Sequence, residues 1–168
     1  VMTNSDNKVT RKEYKYPYDL TAGCLRDQLL ARNIIGEPYE IVTKVGGLQV
    51  EGSRKDFASF NDSGTFYSST SCISSTHVRP RLFYSYEMTW SNGTPTTGTW
   101  VLKGTMNSYN TKGSPASFTT ANWTDPETYV WTTGGQLQSK TYKSHVITYD
   151  YYPGTRLLRS ITDIDGRK

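Results

Sequence analysis

The chain is short of the residues from which most catalytic and metal sites are made, with two histidines, two cysteines and three methionines among 168 residues. His77 and His145 stand apart in the sequence, and neither has a second histidine, cysteine or carboxylate at metal-ligand spacing. Serines are plentiful, but no Gly-x-Ser-x-Gly elbow presents one as a nucleophile. Apolar runs fall well short of the roughly 20 residues that cross a bilayer, and the first residues lack the basic-then-apolar plan of a secretory signal. Blocks of like charge are also missing. The 19 Lys and Arg against 15 Asp and Glu leave +4, scattered in ones and twos such as Arg11-Lys12, Arg54-Lys55 and Arg167-Lys168. Without a basic stripe beside stacking aromatics, nucleic acid is not an expected partner. These deficits argue against an enzyme, and they lead us to expect no metal, no cofactor and no membrane span in this segment.

Uncharged polar and β-favouring residues fill the space: 24 threonines, 13 tyrosines and 14 glycines, with a mean hydropathy of -0.64. β-branched and aromatic side chains suit a pleated surface and glycine supplies turns, so the composition predicts an all-β protein. Cys24 and Cys72 fit either one disulfide outside the cell or two buried thiols inside it. Asn61-Asp62-Ser63-Gly64 and Asp163-Ile164-Asp165-Gly166 look like the starts of calcium loops but lack the later bidentate glutamate. Turns in which Asn or Asp bonds its own backbone are the simpler reading. Three N-x-S/T sequons, at Asn61, Asn92 and Asn122, would matter in a secreted eukaryotic protein and are chance in a bacterial one.

Along the chain, Val9 to Tyr18 alternates Tyr14, Tyr16 and Tyr18 with charges as a strand does, and Pro17 ends it or places it at an edge. Leu25, Leu29, Leu30 and Ile34 then recur at helical spacing, predicting one short helix near residues 22–34, with Thr21 as its cap and Gly36 and Pro38 closing it. Tyr39 to Val45 and the run from Leu48 to Phe60 flank Gly46-Gly47 as a hairpin. Residues 61–79 read as mixed loop and polar edge. Arg81 to Trp90 is a strong strand, turned back at Asn92-Gly93 toward Thr99 to Met106.

The last third repeats. Trp131, Gly135 and Leu137 recur in order as Tyr149, Gly154 and Leu157, a unit of about twenty residues in which an aromatic closes one strand, glycine turns and leucine opens the next. A fainter copy lies upstream at Tyr109 and Gly113, with Pro115 and Phe118 after the turn. One hairpin is marginal in water, so such copies must lie side by side and cover one another's edges. Tyr109, Trp131, Tyr149, Leu137 and Leu157 are then expected to form layered contacts between units. Tyr149-Asp150 would recur as a ladder of stacked tyrosines whose aspartates accept neighbouring hydrogen bonds.

Tyr149-Asp150, Gly154, Arg156-Leu157, Thr162 and Asp165-Gly166-Arg167 resemble the tyrosine-aspartate (YD) repeat of the bacterial RHS proteins, whose unit has a Tyr-Asp pair, a Gly-Arg-Leu turn and a Thr-x-Pro-x-Gly ending. Here Thr155 separates Gly154 from Arg156, Ile164 stands near the usual proline, and the earlier copy has Trp131-Thr132 for Tyr-Asp and Gln136 for Arg. The resemblance is clear over residues 129–168 and weaker over 81–128. Residues 9–60 are similar to the region before the repeats in large surface members. Two parts follow: a pre-repeat β region over 1–80 and YD-type repeats over 81–168.

The resemblance implies antiparallel strand-turn-strand units forming part of a spiralling sheet, closed in some members into a shell around a toxin. The self-cleaving aspartate motif and toxin domain of those members are absent from this sequence. Val1, with no initiator methionine, and Lys168, where another Tyr-Asp strand would begin, fit a piece of a longer secreted or cell-surface bacterial protein. Its partners would be the remainder of that polypeptide, other surface or secretion proteins, or an enclosed toxin. The rival expectation is a carbohydrate-binding β-sandwich displaying coplanar exposed rings from Trp90, Trp100, Trp123 and Trp131.

Overall fold

The structure is a computed structural model and describes residues 2–3, 9–67, 77–163 and 166–167. Cys72 lies outside them. The described strands are β1 (Met2–Thr3), β2 (Val9–Lys15), β3 (Glu40–Val45), β4 (Leu48–Phe60), β5 (Phe66–Tyr67), β6 (His77–Glu87), β7 (Trp90–Ser91), β8 (Thr94–Pro95), β9 (Thr99–Tyr109), β10 (Pro115–Thr120), β11 (Glu127–Trp131), β12 (Leu137–Tyr142), β13 (His145–Tyr151) and β14 (Leu158–Thr162). A 3-10 turn, Pro17–Asp19, and the helix α1, Cys24–Ala31, interrupt them.

The protein is all-β, as composition predicts. One 12-stranded antiparallel sheet runs in the order β1-β2-β3-β4-β6-β9-β10-β11-β12-β13-β14, with β5 paired off the side of β4. Chain order and spatial order nearly coincide because each strand returns beside its predecessor. The sheet continues through β6, which spans residues 80 and 81. Only β7 and β8 lie outside it among the described residues, so the second sheet that a β-sandwich requires is missing.

Local chemistry explains the turns. Gly46 and Gly47 take φ of 59° and 86°, and Asn92 and Gly93 take 49° and 75°, the paired positive angles that let a two-residue turn match strand twist. Pro17 ends β2, but the tyrosines after it leave the strand: Tyr16 and Tyr18 stack with centroids 5.6 Å apart. The helix differs from expectation at both ends. Its N-cap is Gly23, without a side-chain cap, rather than Thr21. It closes before Gly36 because Asn33 adopts φ of 55°, and the amides of Asn33 and Ile34 return to the carbonyls of Leu30 and Leu29. That double bond is the Schellman closure, which asparagine tolerates through its left-handed conformation.

The core sits in the first two thirds of the chain. Phe60, Met106 and Tyr109 are buried together with Ala58, Phe66, Phe83 and Phe118 around them. The Phe60 ring meets Tyr109 edge-on at 4.8 Å and Phe66 at 6.0 Å. Each such ring contributes about 1.5–3 kcal/mol through burial. α1 rests on β4 and β6 and buries Leu29 completely. From Asn110 onward no described residue is buried. The sheet there is one layer thick.

Candidate functional site

Apart from Thr162, the residues singled out for the repeat gather near one margin of the sheet, where three hairpin turns lie in a row. The first two obey the same bonding rule. The amide of Asn110 donates to the Ser114 carbonyl at 2.8 Å, and that of Thr132 donates to Gln136 at 2.8 Å. The Gly113 and Gly135 amides return to Asn110 and Thr132 at 2.8 and 3.0 Å, with glycine φ of 86° and 80°. Positive φ at the fourth turn position is what a type I turn needs to re-enter a strand, so glycine is required there. The turn after β13 is one residue longer, closed by Tyr152 to Leu157 at 3.1 Å with Gly154 at φ 71°.

Side-chain oxygens lock the same turns. Asn110 Oδ1 accepts from the Ser114 amide at 2.9 Å, and Thr132 Oγ1 accepts from Gln136 at 3.1 Å. The calcium-like segment Asn61-Asp62-Ser63-Gly64 proves to be a further copy, and in the other, where Ile164 and Asp165 lie outside the described residues, Asp163 makes the same bond. Asn61 Oδ1 accepts from the Thr65 amide at 2.9 Å, and Asp163 Oδ1 accepts from Arg167 at 3.0 Å. No group of metal-binding side chains occurs among the described residues.

Strand register places the repeat differently from the sequence alignment. The residue before each turn pairs with the first residue after it: Tyr109 with Pro115, Trp131 with Leu137, Tyr151 with Leu158. One step further each ladder skips a residue, leaving Ala116, Gln138 and Arg159 as bulges at the same position of each return strand. The structural counterpart of Trp131 is therefore Tyr151, and that of Leu137 is Leu158. Tyr149 lies two residues inside β13 opposite Ile161, and Thr162 ends β14 opposite Thr148.

The ring at each turn then makes one specific bond. Trp131 Nε1 donates to the Pro115 carbonyl at 2.6 Å, and the Tyr151 hydroxyl donates to the Leu137 carbonyl at 2.9 Å. Tyr109 donates to the Pro80 carbonyl of β6. Pro115 and Leu137 sit in pairs next to a turn's closing bond, so their carbonyls point outward to the following strand. The regular β10-β11 and β12-β13 ladders stop at Ser117 and Ser139, short of these positions. The aromatic hydrogen takes the carbonyl that the ladder leaves behind, a bond worth about 1 kcal/mol net.

The expected stack of rings is absent. No ring pair among the described residues joins Tyr109, Trp131 and Tyr149. They occupy alternate strands, roughly 10 Å apart, beyond the range of ring contact. Leu157 forms no layer either, being 68 % exposed in the turn. Asp150 is exposed and meets Arg159 of the adjacent strand at 3.6 Å, an interaction of little energy in water.

Adjacent turns are joined to one another instead. The Tyr109 amide donates to the Gly64 carbonyl at 2.9 Å, Lys112 Nζ reaches the Thr133 carbonyl, and Gln136 Nε2 reaches the Thr155 carbonyl at 2.7 Å. These links escape a reading by residue type, although one signal was available: an aromatic followed by Asn or Thr and then glycine three later, at Phe60, Tyr109 and Trp131.

Electrostatics adds local order. Burial pushes the Tyr109 phenol up to about 12. Burial, then the hydrogen bond to Glu127 at 2.7 Å, raises Tyr129. Burial of Glu127 works against its ionisation, but bonds from Lys140 and Tyr129 hold its carboxyl below the ordinary value. His77, unaccompanied in the sequence, has two companions in the fold: Arg32 lies 2.9 Å from Nδ1 and Asp62 3.0 Å from Nε2. Arginine can only donate, so Nδ1 accepts and the Nε2 hydrogen faces Asp62. Nδ1 thus ties the end of α1 to the start of β6, and Nε2 ties the turn after β4 to it.

Two clefts of about 540 Å³ each open among the described residues. One lies between α1 and the sheet beside Leu25, Phe57, Phe66 and Arg81; the other lies between the last two turns beside Gln138, Tyr149, Tyr152 and Arg156. Cys24 is disulfide-bonded, which removes the reading of two free thiols. No helix among the described residues is long and apolar enough to cross a membrane. No protein-family model, curated protein or solved structure matches the chain.

Proposed function

We propose that the chain is a structural segment of a large bacterial YD-repeat protein, secreted or held at the cell surface, in which it forms part of a wall. One observation carries the reading: successive hairpins share a bulge and a ring-to-carbonyl bond, and no second layer covers them among the described residues. A unit that bonds only to its neighbours extends a surface rather than building a pocket for chemistry. The disulfide at Cys24 supports an oxidising compartment outside the cytoplasm. Enclosure of a toxin is the finer form of the same proposal.

Mass analysis and negative-stain imaging of the native polypeptide that carries this chain test it. A mass far above 19.0 kDa and hollow or spiral particles are expected. A stable native protein of this mass alone, without further repeats, would overturn it. The cleft holding Tyr149, Tyr152, Gln138 and Arg156 favours a second reading, binding of a saccharide through ring faces and planar polar groups. Glycan-array binding that is lost on Tyr152→Ala would support that reading over the first.

A further inference from the structure

The cleft between α1 and the sheet, about 540 Å³, is within the size range of small-molecule sites. Its walls are chiefly apolar, with Leu20 and Leu25 facing Phe57, Ala58 and Phe66. Arg81 enters this apolar surround because of a bulge. Leu82 pairs with Asp56 and Pro80 with Phe57, so Arg81 is the extra residue of β6, and a bulge re-aims the side chain it carries. Its guanidinium carbon lies 3.4 Å from the centre of the Phe66 ring, and its Nε is buried with no hydrogen-bond partner. Attraction to the ring offsets only part of the cost of taking that charge out of water. The other charged groups on the lining are engaged. Lys55 meets Glu37 at 2.8 Å, Arg26 Nε donates to the Tyr18 carbonyl at 3.3 Å, and Asp56 meets Arg54 at 3.3 Å. No ion pair joins Arg81 to a carboxylate among the described residues. The positive end of α1 adjoins the same cleft, and its N-cap, Gly23, has no side chain with which to cap the first-turn amides.

We propose that this cleft is a binding site for a small apolar molecule bearing one carboxylate, its body against Leu25, Phe57 and Phe66 and its carboxylate held by Arg81. The charge balance selects an anion: Arg26, Lys55, Arg81 and the helix N-terminus border the cleft against the single carboxylate of Asp56. A carboxylate matches the guanidinium fork and gives Nε its missing acceptor, the pairing in which arginine binds most specifically. A neutral molecule of the same shape buries the same surface but leaves that nitrogen unsatisfied. A cationic one meets like charge. The site does not depend on the wall reading, which rests on β9 to β14, whereas the cleft is built from α1, β4, β5 and β6.

The test titrates octanoate and 1-octanol, equal in chain length and differing in the carboxylate, into the whole chain, followed by calorimetry and heteronuclear NMR. Saturable octanoate binding is expected, with shift changes at Leu25, Ala58 and Phe66, and 1-octanol should bind about tenfold more weakly or less, the equivalent of one charge-assisted hydrogen bond. Arg81→Met keeps an apolar stem and removes the charge. It should weaken octanoate by about the same factor and leave 1-octanol unchanged. If that variant does not fold, the comparison of the two ligands on the native chain decides alone. No saturable octanoate binding, shift changes confined to other parts of the sheet, or equal binding of octanoate and 1-octanol would overturn the proposal. So would undiminished octanoate binding by a folded Arg81→Met chain.

Discussion

Gly64 offers the sharpest perturbation of the turn row. Its φ is 81°, and a Cβ added there would fall 1.6 Å from the Tyr109 carbonyl oxygen, an overlap with backbone that no rotamer change relieves. Gly135 has nearly the same backbone angle, φ 80°, but an added Cβ meets nothing within 4 Å. Alanine at Gly135 therefore incurs only the left-handed backbone cost, about 1–2 kcal/mol. Alanine at Gly64 incurs the same cost and must also separate the Asn61–Thr65 turn from β9. That breaks the Tyr109–Gly64 bond, worth about 1 kcal/mol, and loosens the contact of Tyr109 with the buried Phe60.

The expected losses are about 3 kcal/mol or more for Gly64→Ala and about 1–2 kcal/mol for Gly135→Ala. For a chain of this length each kcal/mol lowers Tm by about 2–4 °C, so the two variants should melt several degrees apart. Thermal unfolding by circular dichroism, repeated in urea, reads the difference. Equal losses in the two variants would refute the close approach, since backbone strain alone would then explain both.

Other consequences can be measured in the same way. Trp131→Phe leaves the Pro115 carbonyl without its donor and should cost about 1–2 kcal/mol, whereas Leu157→Ala in the exposed turn should stay within about 0.5 kcal/mol; urea midpoints in the reverse order would contradict the bond from Trp131 to Pro115 and the exposed place of Leu157. Gly154→Val should destabilise by about 1 kcal/mol or more, because a β-branched residue fits poorly at φ 71° even where space is open; an unchanged Tm would remove that reason. The Tyr109 phenol is neutral in the fold up to about pH 12, against an ordinary value of 10.0. Its contribution is thus fully present below pH 10 and is lost as pH rises toward 12, because the unfolded chain releases that proton first. Stability should fall across this window, less steeply in Tyr109→Phe, with tyrosinate absorbance marking the titration; an identical slope in the variant would exclude Tyr109 as a source.

Much of the local fold was legible in the residues. Gly46-Gly47 and Asn92-Gly93 specify turns through their own φ preferences, and the leucine spacing from Leu25 to Leu30 marks the helix whose stability comes from burying Leu29 against the sheet. The repeat was legible as a repeat, but its register was not. A strand has a period of two, so Tyr149 and Tyr151 satisfy the same facing pattern, and aromatic identity cannot separate them. Only the closing bonds and the bulges do. The absence of ring stacking was hidden for a related reason: residues adjacent in a repeat alignment lie on alternate strands, a distance that residue type does not report. Composition was equally silent on whether one layer or two would form, since half-buried tyrosine and threonine serve either.

From β9 to β14 strands consecutive in the chain are neighbours in the sheet. A whole hairpin could therefore be copied or excised at the level of the gene, and the strands on either side would meet with compatible faces. Length in such an architecture is free to vary by unequal recombination, while a single residue inserted inside a strand would throw every later side chain onto the opposite face.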